Sequence, residues 1–164
     1  MGNSRWQLLW KPGSGVDLWR DPNFDGWTRK IESPCTQRST DPDRVVFTVS
    51  TKGYVSDVNW WATNIAAAAN TIRQKYPNVQ QIVLQPVVGG PNNGPCFYNG
   101  DQVRATFNHP FIDQAIAQLV GGDVVAGMSP EVRTCADYVD GVGHFVTSAR
   151  PEIGRIIGEF YVNF

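Results

Sequence analysis

Long apolar segments, an excess of positive charge and abundant cysteine are all absent from this chain of 164 residues. Its 14 Lys and Arg residues are balanced by 15 Asp and Glu residues, and the basic ones are scattered. Without a basic patch there is no electrostatic basis for binding nucleic acid or an anionic membrane surface. No apolar run has the length of a membrane span, and the first residues lack the apolar core of a signal peptide. We therefore expect neither a nucleic-acid nor a membrane partner.

Metal-ligating residues are equally scarce. The three cysteines (Cys35, Cys96 and Cys135) and the two histidines (His109 and His144) have no zinc-site spacing, so we expect no metal. No phosphate-loop motif is present, and no cofactor is expected. Cys96 and Cys135 lie in loops that follow predicted strands, which favours one disulfide between them. A disulfide, six Trp residues and a charged fraction of 18% favour an exported protein, secreted or periplasmic.

The chain has the length of one domain, 1–164, with a buried core. Apolar patterning predicts strands at 6–10, 45–49, 82–88 and 123–127. Helical spacing predicts a long helix that begins after Ser56 or Asp57 and ends before Pro77, a second helix at 110–120 and a third from Pro151. The segment 16–42 is predicted to hold one irregular helix. Alternating strands and helices are typical of an α/β protein with a mainly parallel sheet and helices on both faces.

Polar and glycine-rich segments follow the predicted strands, at 12–15, 50–54, 89–94 and 129–144. Ligands of open parallel sheets bind beyond these carboxyl ends. In the last segment, Asp140 and His144 flank Gly141 and Gly143, which leave the backbone free to bend. A carboxylate that folds back on an imidazole fixes its tautomer and stabilises its protonated form. The pattern therefore predicts a general base at this edge of the sheet.

The order of elements over about 44–160 resembles the SGNH (GDSL-type) hydrolases. A strand and a long helix stopped by Lys75-Tyr76-Pro77-Asn78 are followed by a strand, a helix, a strand, and then an Asp and a His before a C-terminal helix. The resemblance implies a three-layer α/β/α sandwich of flavodoxin-like type. It also implies a serine esterase or carbohydrate O-deacetylase in which His144 is the general base and Asp140 orients it.

Two motifs of that family differ here. Its Asp and His are usually three residues apart, whereas Asp140 and His144 are four apart, so the loop must bulge by one residue. The family's Gly-x-Asn-Asp motif, which supplies an oxyanion-binding Asn, has no counterpart at 50–53. A backbone N–H group, the Thr51 hydroxyl or the Lys52 ammonium are the alternatives for that donor.

The family's Gly-Asp-Ser nucleophile motif is not evident. If 6–10 is the first strand, Ser14 follows it as the nucleophile, with the Gly13 and Gly15 backbone amides as oxyanion donors. If 6–10 is the second strand, the first strand is missing and only Ser4, in Gly2-Asn3-Ser4, echoes the motif. Loop geometry favours Ser14 over Ser4.

Two functions follow from these patterns. The first is a carboxylic ester hydrolase that cleaves short acyl esters of a small molecule or carbohydrate through Ser14, His144 and Asp140. The second is a non-catalytic carbohydrate- or partner-binding α/β module, derived from or truncated from such a hydrolase. His109 precedes Pro110 and is interpreted as a residue at the start of a helix rather than as part of the site.

Overall fold

The computed structural model describes residues 8–28 and 42–162. Its elements in chain order are α1 (Val16–Trp19), β1 (Arg44–Val49), α2 (Val58–Lys75), β2 (Gln81–Pro86), β3 (Phe97–Tyr98), β4 (Asp101–Gln102), α3 (Arg104–Leu119), β5 (Val124–Ala126) and α4 (Arg150–Val162). Single turns of 3-10 helix lie at 25–28, 91–93 and 135–137.

Strands β1, β2 and β5 form a parallel sheet with β2 in the middle. Val45 pairs with Ile82, which pairs on its other side with Val124. Parallel neighbours need long crossovers, and α2 and α3 provide them after β1 and β2. Strands β3 and β4 form a separate antiparallel hairpin. The prediction of an α/β protein with a mainly parallel sheet is confirmed.

Helix α2 has the boundaries that its local signals predict. The Asp57 carboxylate accepts hydrogen bonds from the backbone N–H groups of Asn59 (2.9 Å) and Trp60 (3.2 Å), which caps the first turn. The helix ends at Lys75, just before Pro77, a residue that cannot continue it. The buried side of α2 joins the main core, and its largest members are Trp61, Ile65 and Ile72.

The prediction of a strand at 6–10 is wrong where the structure describes that segment. Residues 8–10 lie outside any strand, and Leu8 and Trp10 are 52% and 53% exposed; positions 6 and 7 are outside the described residues. An apolar run becomes a strand only where another strand pairs with its backbone. In the segment 16–42, α1 and the 3-10 turn at 25–28 stand where one irregular helix was predicted, and 29–41 lie outside the described residues.

Helix α3 begins at Arg104 rather than at 110, so Pro110 lies inside it. Proline lacks the N–H group that would bond the carbonyl four residues earlier, so its presence inside a helix is unfavourable. Tertiary contacts compensate: the Arg104 N–H group donates to the Gly141 carbonyl at 2.8 Å, and α3 packs along α2. As a result His109 is not at the start of a helix but in its middle, buried.

The predicted disulfide between Cys96 and Cys135 is confirmed, with the two Cα atoms 5.2 Å apart. It joins the loop after β2 to the segment after β5, and Cys35 lies outside the described residues. A second apolar cluster surrounds the bond; its buried members include Val103, Val132, Tyr138 and Ile153. Within the described ranges, no helix combines the length and the apolar character needed to span a membrane.

Candidate active site

The segment from Tyr138 to Phe145 folds back on itself as a narrow loop beyond the sheet. The two end residues form an antiparallel bridge, their rings are 5.4 Å apart, and the Val139 N–H group donates to the His144 carbonyl at 2.8 Å. Gly143 has φ +116°, a conformation that side chains disfavour, and a Cβ there would lie 2.5 Å from Ala105. Glycine at 143 therefore allows the loop to turn against the start of α3.

Asp140 and His144 form a dyad inside this loop. The Asp140 Oδ2 atom lies 2.5 Å from the His144 Nδ1 atom, while Oδ1 accepts hydrogen bonds from the backbone N–H groups of Val142 and Gly143 (both 2.9 Å) and His144 (3.1 Å). Partial burial raises the pKa of Asp140, but these hydrogen bonds outweigh it and lower the pKa to about 2. The carboxylate is therefore charged and immobile at neutral pH.

The imidazole of His144 is open to solvent, with its side chain 69% exposed. Its Nδ1 atom is occupied by Asp140, and no hydrogen bond between described residues involves Nε2. An imidazole held through one nitrogen, with the other free, has the arrangement of a general base. The dyad that the sequence predicts is therefore formed, and the four-residue spacing is accommodated by the turn at Gly143.

Helix α3, which contacts the dyad loop through Arg104, also holds the loop after β1 by hydrogen bonds. The Arg104 guanidinium donates to the Lys52 carbonyl. Buried Asn108 donates to the Gly53 carbonyl at 2.8 Å and accepts from the Val55 N–H group at 2.9 Å. Sequence reasoning missed Asn108, because a helix predicted to begin at 110 leaves this residue outside it. Its role is to hold the backbone of the loop in which the oxyanion-binding Asn was expected.

Ser14 lies half-buried in the neighbouring segment and is not joined to His144. Its hydroxyl donates to the Lys11 carbonyl at 2.5 Å, and the described residues provide no hydrogen bond between Ser14 and the dyad. A Cβ built on Gly13 would lie 3.0 Å from the Lys52 Cε atom, so the Lys52 side chain runs beside this segment. The Thr51 hydroxyl donates to Asp17 at 3.0 Å. Ser4 is outside the described residues.

His109 is the second imidazole near the carboxyl ends of the strands, and it is 1% exposed. Its Nδ1 atom lies 2.9 Å from Asn93 Oδ1 and its Nε2 atom 3.1 Å from the Ser129 hydroxyl oxygen. The Ser129 hydroxyl donates its one hydrogen to Asp113 Oδ2 at 2.7 Å. Burial lowers the pKa of His109 more than the negative charges of Asp113 and Glu131 raise it.

The sequence contains one signal for this second cluster. His109 and Asp113 are four residues apart, which places them on one face of a helix if the helix extends far enough. Because the helix was predicted to begin at Pro110, His109 fell outside it and its pairing with Asp113 was not predicted. Asn93 lies in the 3-10 turn at 91–93, and its backbone adopts a left-handed conformation (φ 56°).

Comparison of the chain with protein-family models finds no match, and searches of curated proteins and of solved structures find none either.

Proposed function

We propose that this protein is a serine hydrolase that cleaves short acyl esters of a small molecule or carbohydrate. The observation that supports it most is the dyad of Asp140 and solvent-exposed His144. It lies in the loop that begins at Tyr138, whose hydroxyl donates to the Val88 carbonyl just beyond the carboxyl end of β2 at 2.8 Å. We propose further that the sheet and the helices form the three-layer α/β/α sandwich of the SGNH hydrolases. The disulfide between Cys96 and Cys135 supports an exported location, secreted or periplasmic.

In the proposed mechanism His144 Nε2 takes a proton from the nucleophile as its oxygen attacks the acyl carbon. Asp140 holds the tautomer with Nδ1 protonated and stabilises the imidazolium that forms. The leaving alcohol then takes the proton, and water releases the acyl group by the same route. The nucleophile, His144 and Asp140 account for the proton transfers, and no metal is required.

Ser14 is the proposed nucleophile because of its neighbours, not because of a preceding strand, since residues 8–10 form none. Its segment is supported by Lys52, whose side chain runs beside Gly13 and would place positive charge near the developing oxyanion. The backbone N–H groups of Gly13 and Gly15 make no hydrogen bond to another described residue, so they can serve as oxyanion donors. For catalysis, the Ser14 hydroxyl must leave the Lys11 carbonyl and donate its hydrogen bond to the His144 ring instead.

A second candidate is a carbohydrate- or partner-binding module without catalysis. The observation in its favour is that the Ser14 hydroxyl donates to Lys11 and makes no hydrogen bond to His144. This candidate predicts that a sugar ligand found by calorimetry binds His144→Ala as tightly as the unchanged protein.

Release of p-nitrophenol from its acetate ester, together with labelling by a fluorophosphonate, tests the hydrolase proposal. Hydrolysis is expected to fall by roughly 10²- to 10⁴-fold in His144→Ala, because a general base contributes about that factor. Ser14→Ala should abolish the part of the hydrolysis that is lost in His144→Ala, whereas Ser148→Ala, at an exposed serine that makes no hydrogen bond to a described residue, should not. Absence of label on Ser14, together with hydrolysis that is either absent or equal in Ser14→Ala, His144→Ala and the unchanged protein, would reject this hydrolase site and favour the binding module.

A further inference from the structure

A second serine and histidine lie in contact outside the proposed catalytic dyad. Ser129 follows β5 and is exposed, and its hydroxyl oxygen lies 3.1 Å from Nε2 of buried His109. On the other side of the ring, Nδ1 lies 2.9 Å from Asn93 Oδ1. We propose that Ser129 is a second reactive serine, acylated by carboxylic esters with His109 as its general base and Asn93 as the residue that orients the ring.

The tautomer of His109 follows from its partners. Asn93 Oδ1 is an acceptor, so Nδ1 carries the proton and donates it there. The lone pair of Nε2 then points toward Ser129. The Ser129 hydroxyl has a single hydrogen, which it donates to Asp113 Oδ2 at 2.7 Å. Nε2 at 3.1 Å is a second acceptor within its reach, and for the reaction the hydroxyl turns its hydrogen from Asp113 to Nε2.

The charge environment suits a base that is neutral at rest and cationic during reaction. Burial keeps the pKa of the His109 ring below its ordinary value of 6.5, so the ring is neutral and basic at pH 7. Asp113 Oδ2 lies 3.7 Å from Nδ1, and Glu131 adds negative charge from the segment after β5. These two carboxylates stabilise the imidazolium that exists while the serine is attacking.

The position in the fold also suits a reactive group. Asn93 follows β2 and Ser129 follows β5, so both lie beyond carboxyl ends of the parallel sheet, where ligands of such sheets bind. The two segments are held together: the Gly89 N–H group donates to the Pro130 carbonyl at 2.7 Å, and the Val132 N–H group donates to the Gly89 carbonyl at 3.0 Å. The hydroxyl is therefore fixed against a buried base but open to solvent.

The reaction is an acyl transfer. The Ser129 oxygen bonds to the acyl carbon of an ester as its proton passes to His109 Nε2. The bond from that carbon to the alcohol oxygen breaks, and the alcohol leaves with the proton from Nε2. Attack by water, with His109 again as base, frees the acid and restores the hydroxyl.

Tryptic mapping after treatment with a fluorophosphonate tests the proposal, because the candidate serines fall in different peptides. Phosphonylation forms the bond from oxygen to phosphorus and expels fluoride. Peptide 105–133 contains Ser129 as its only serine, peptide 6–20 contains Ser14, and peptide 134–155 contains Ser148. We expect the label on 105–133, its loss in Ser129→Ala, and no label on the control peptide 134–155.

Two variants test the roles of the ring and its orienting partner. His109→Gln should slow labelling of 105–133 by roughly 10²-fold or more. Asn93→Gly removes the side chain that accepts from Nδ1, and glycine adopts φ 56° readily, so the variant should fold. Labelling of 105–133 should be slower in this variant too. The rate in the unchanged protein should fall on acidification, with its half-maximum below pH 6.5.

The result is separable from the hydrolase proposed above. His144→Ala should leave the label on 105–133 intact, whatever it does to peptide 6–20. An unlabelled peptide 105–133 would show that the cluster only holds the two segments together. The same conclusion would follow if His109→Gln and Asn93→Gly were labelled as fast as the unchanged protein. Labelling that is lost in Asp113→Asn but kept in His109→Gln would overturn the role assigned to His109.

Discussion

The imidazole of His109 lies directly against the backbone of Gly89. A Cβ atom at position 89 would approach three atoms of the ring to within 2.8–2.9 Å, closer than side chains tolerate. The loop after β2 and helix α3 can therefore pack together only if residue 89 has no side chain. The same contact holds the ring between Asn93 and Ser129.

Gly89→Ala should displace the ring and lower the free energy of unfolding by about 1–3 kcal/mol, the usual cost of overpacking. Labelling of Ser129 should fall with it. Gly158→Ala is the matched control: it lies in α4 with open space around its Cα, and should raise stability by about 0.5–1 kcal/mol. Denaturant unfolding measures both, and equal stability of the two variants would contradict the contact.

Asp140→Asn should reduce the ester hydrolysis that depends on His144 by up to about 10⁴-fold, because an amide no longer selects the tautomer of His144 that a base requires. The amide oxygen can still accept the backbone N–H groups of the loop, so the fold should persist. Steady-state kinetics gives the loss, and ¹⁵N shifts of the His144 ring report the tautomer. An unchanged tautomer would mean that Asp140 serves only to shape the turn.

Asp140 should also make stability depend on pH at the acid end. Its pKa is about 2 in the folded protein and near 3.8 when unfolded, so the unfolded chain binds its proton first. The stabilisation is complete above about pH 5 and is lost as pH falls toward 2. Unfolding titrations of Asp140→Asn should be flatter across that window, while Ser148→Ala should follow the unchanged protein.

Reduction of the bond between Cys96 and Cys135 should lower the free energy of unfolding by about 4 kcal/mol, the loop-entropy estimate for a separation of 39 residues. The segment that carries the dyad follows Cys135 directly, so hydrolysis should fall as well. Thermal unfolding with and without reductant, repeated on Cys96→Ala/Cys135→Ala, measures the effect. A double variant as stable as the oxidised protein would show that the bond adds nothing.

Elements with strong local signals were predicted well. Helix α2 has a capping Asp57 and a terminating Pro77 in the sequence, and β1 is a run of β-branched residues. The contact between Asp140 and His144 could also be predicted from the sequence, since both belong to one short loop. The start of α3 was not: Pro110 is a local stop signal, and only packing against α2 and the Gly141 carbonyl outweighs it.

Local chemistry in the chain was therefore enough for the α/β class, the long helix, the disulfide and the dyad, because each depends on neighbours in sequence or on cysteine placement. Folding decided which distant groups meet. Ser14 bonds to Lys11 rather than to His144, whereas Ser129 and Asn93 come from two different loops to the two nitrogens of His109. Such pairings depend on how helices and loops pack, so they could not be predicted from the sequence around each residue.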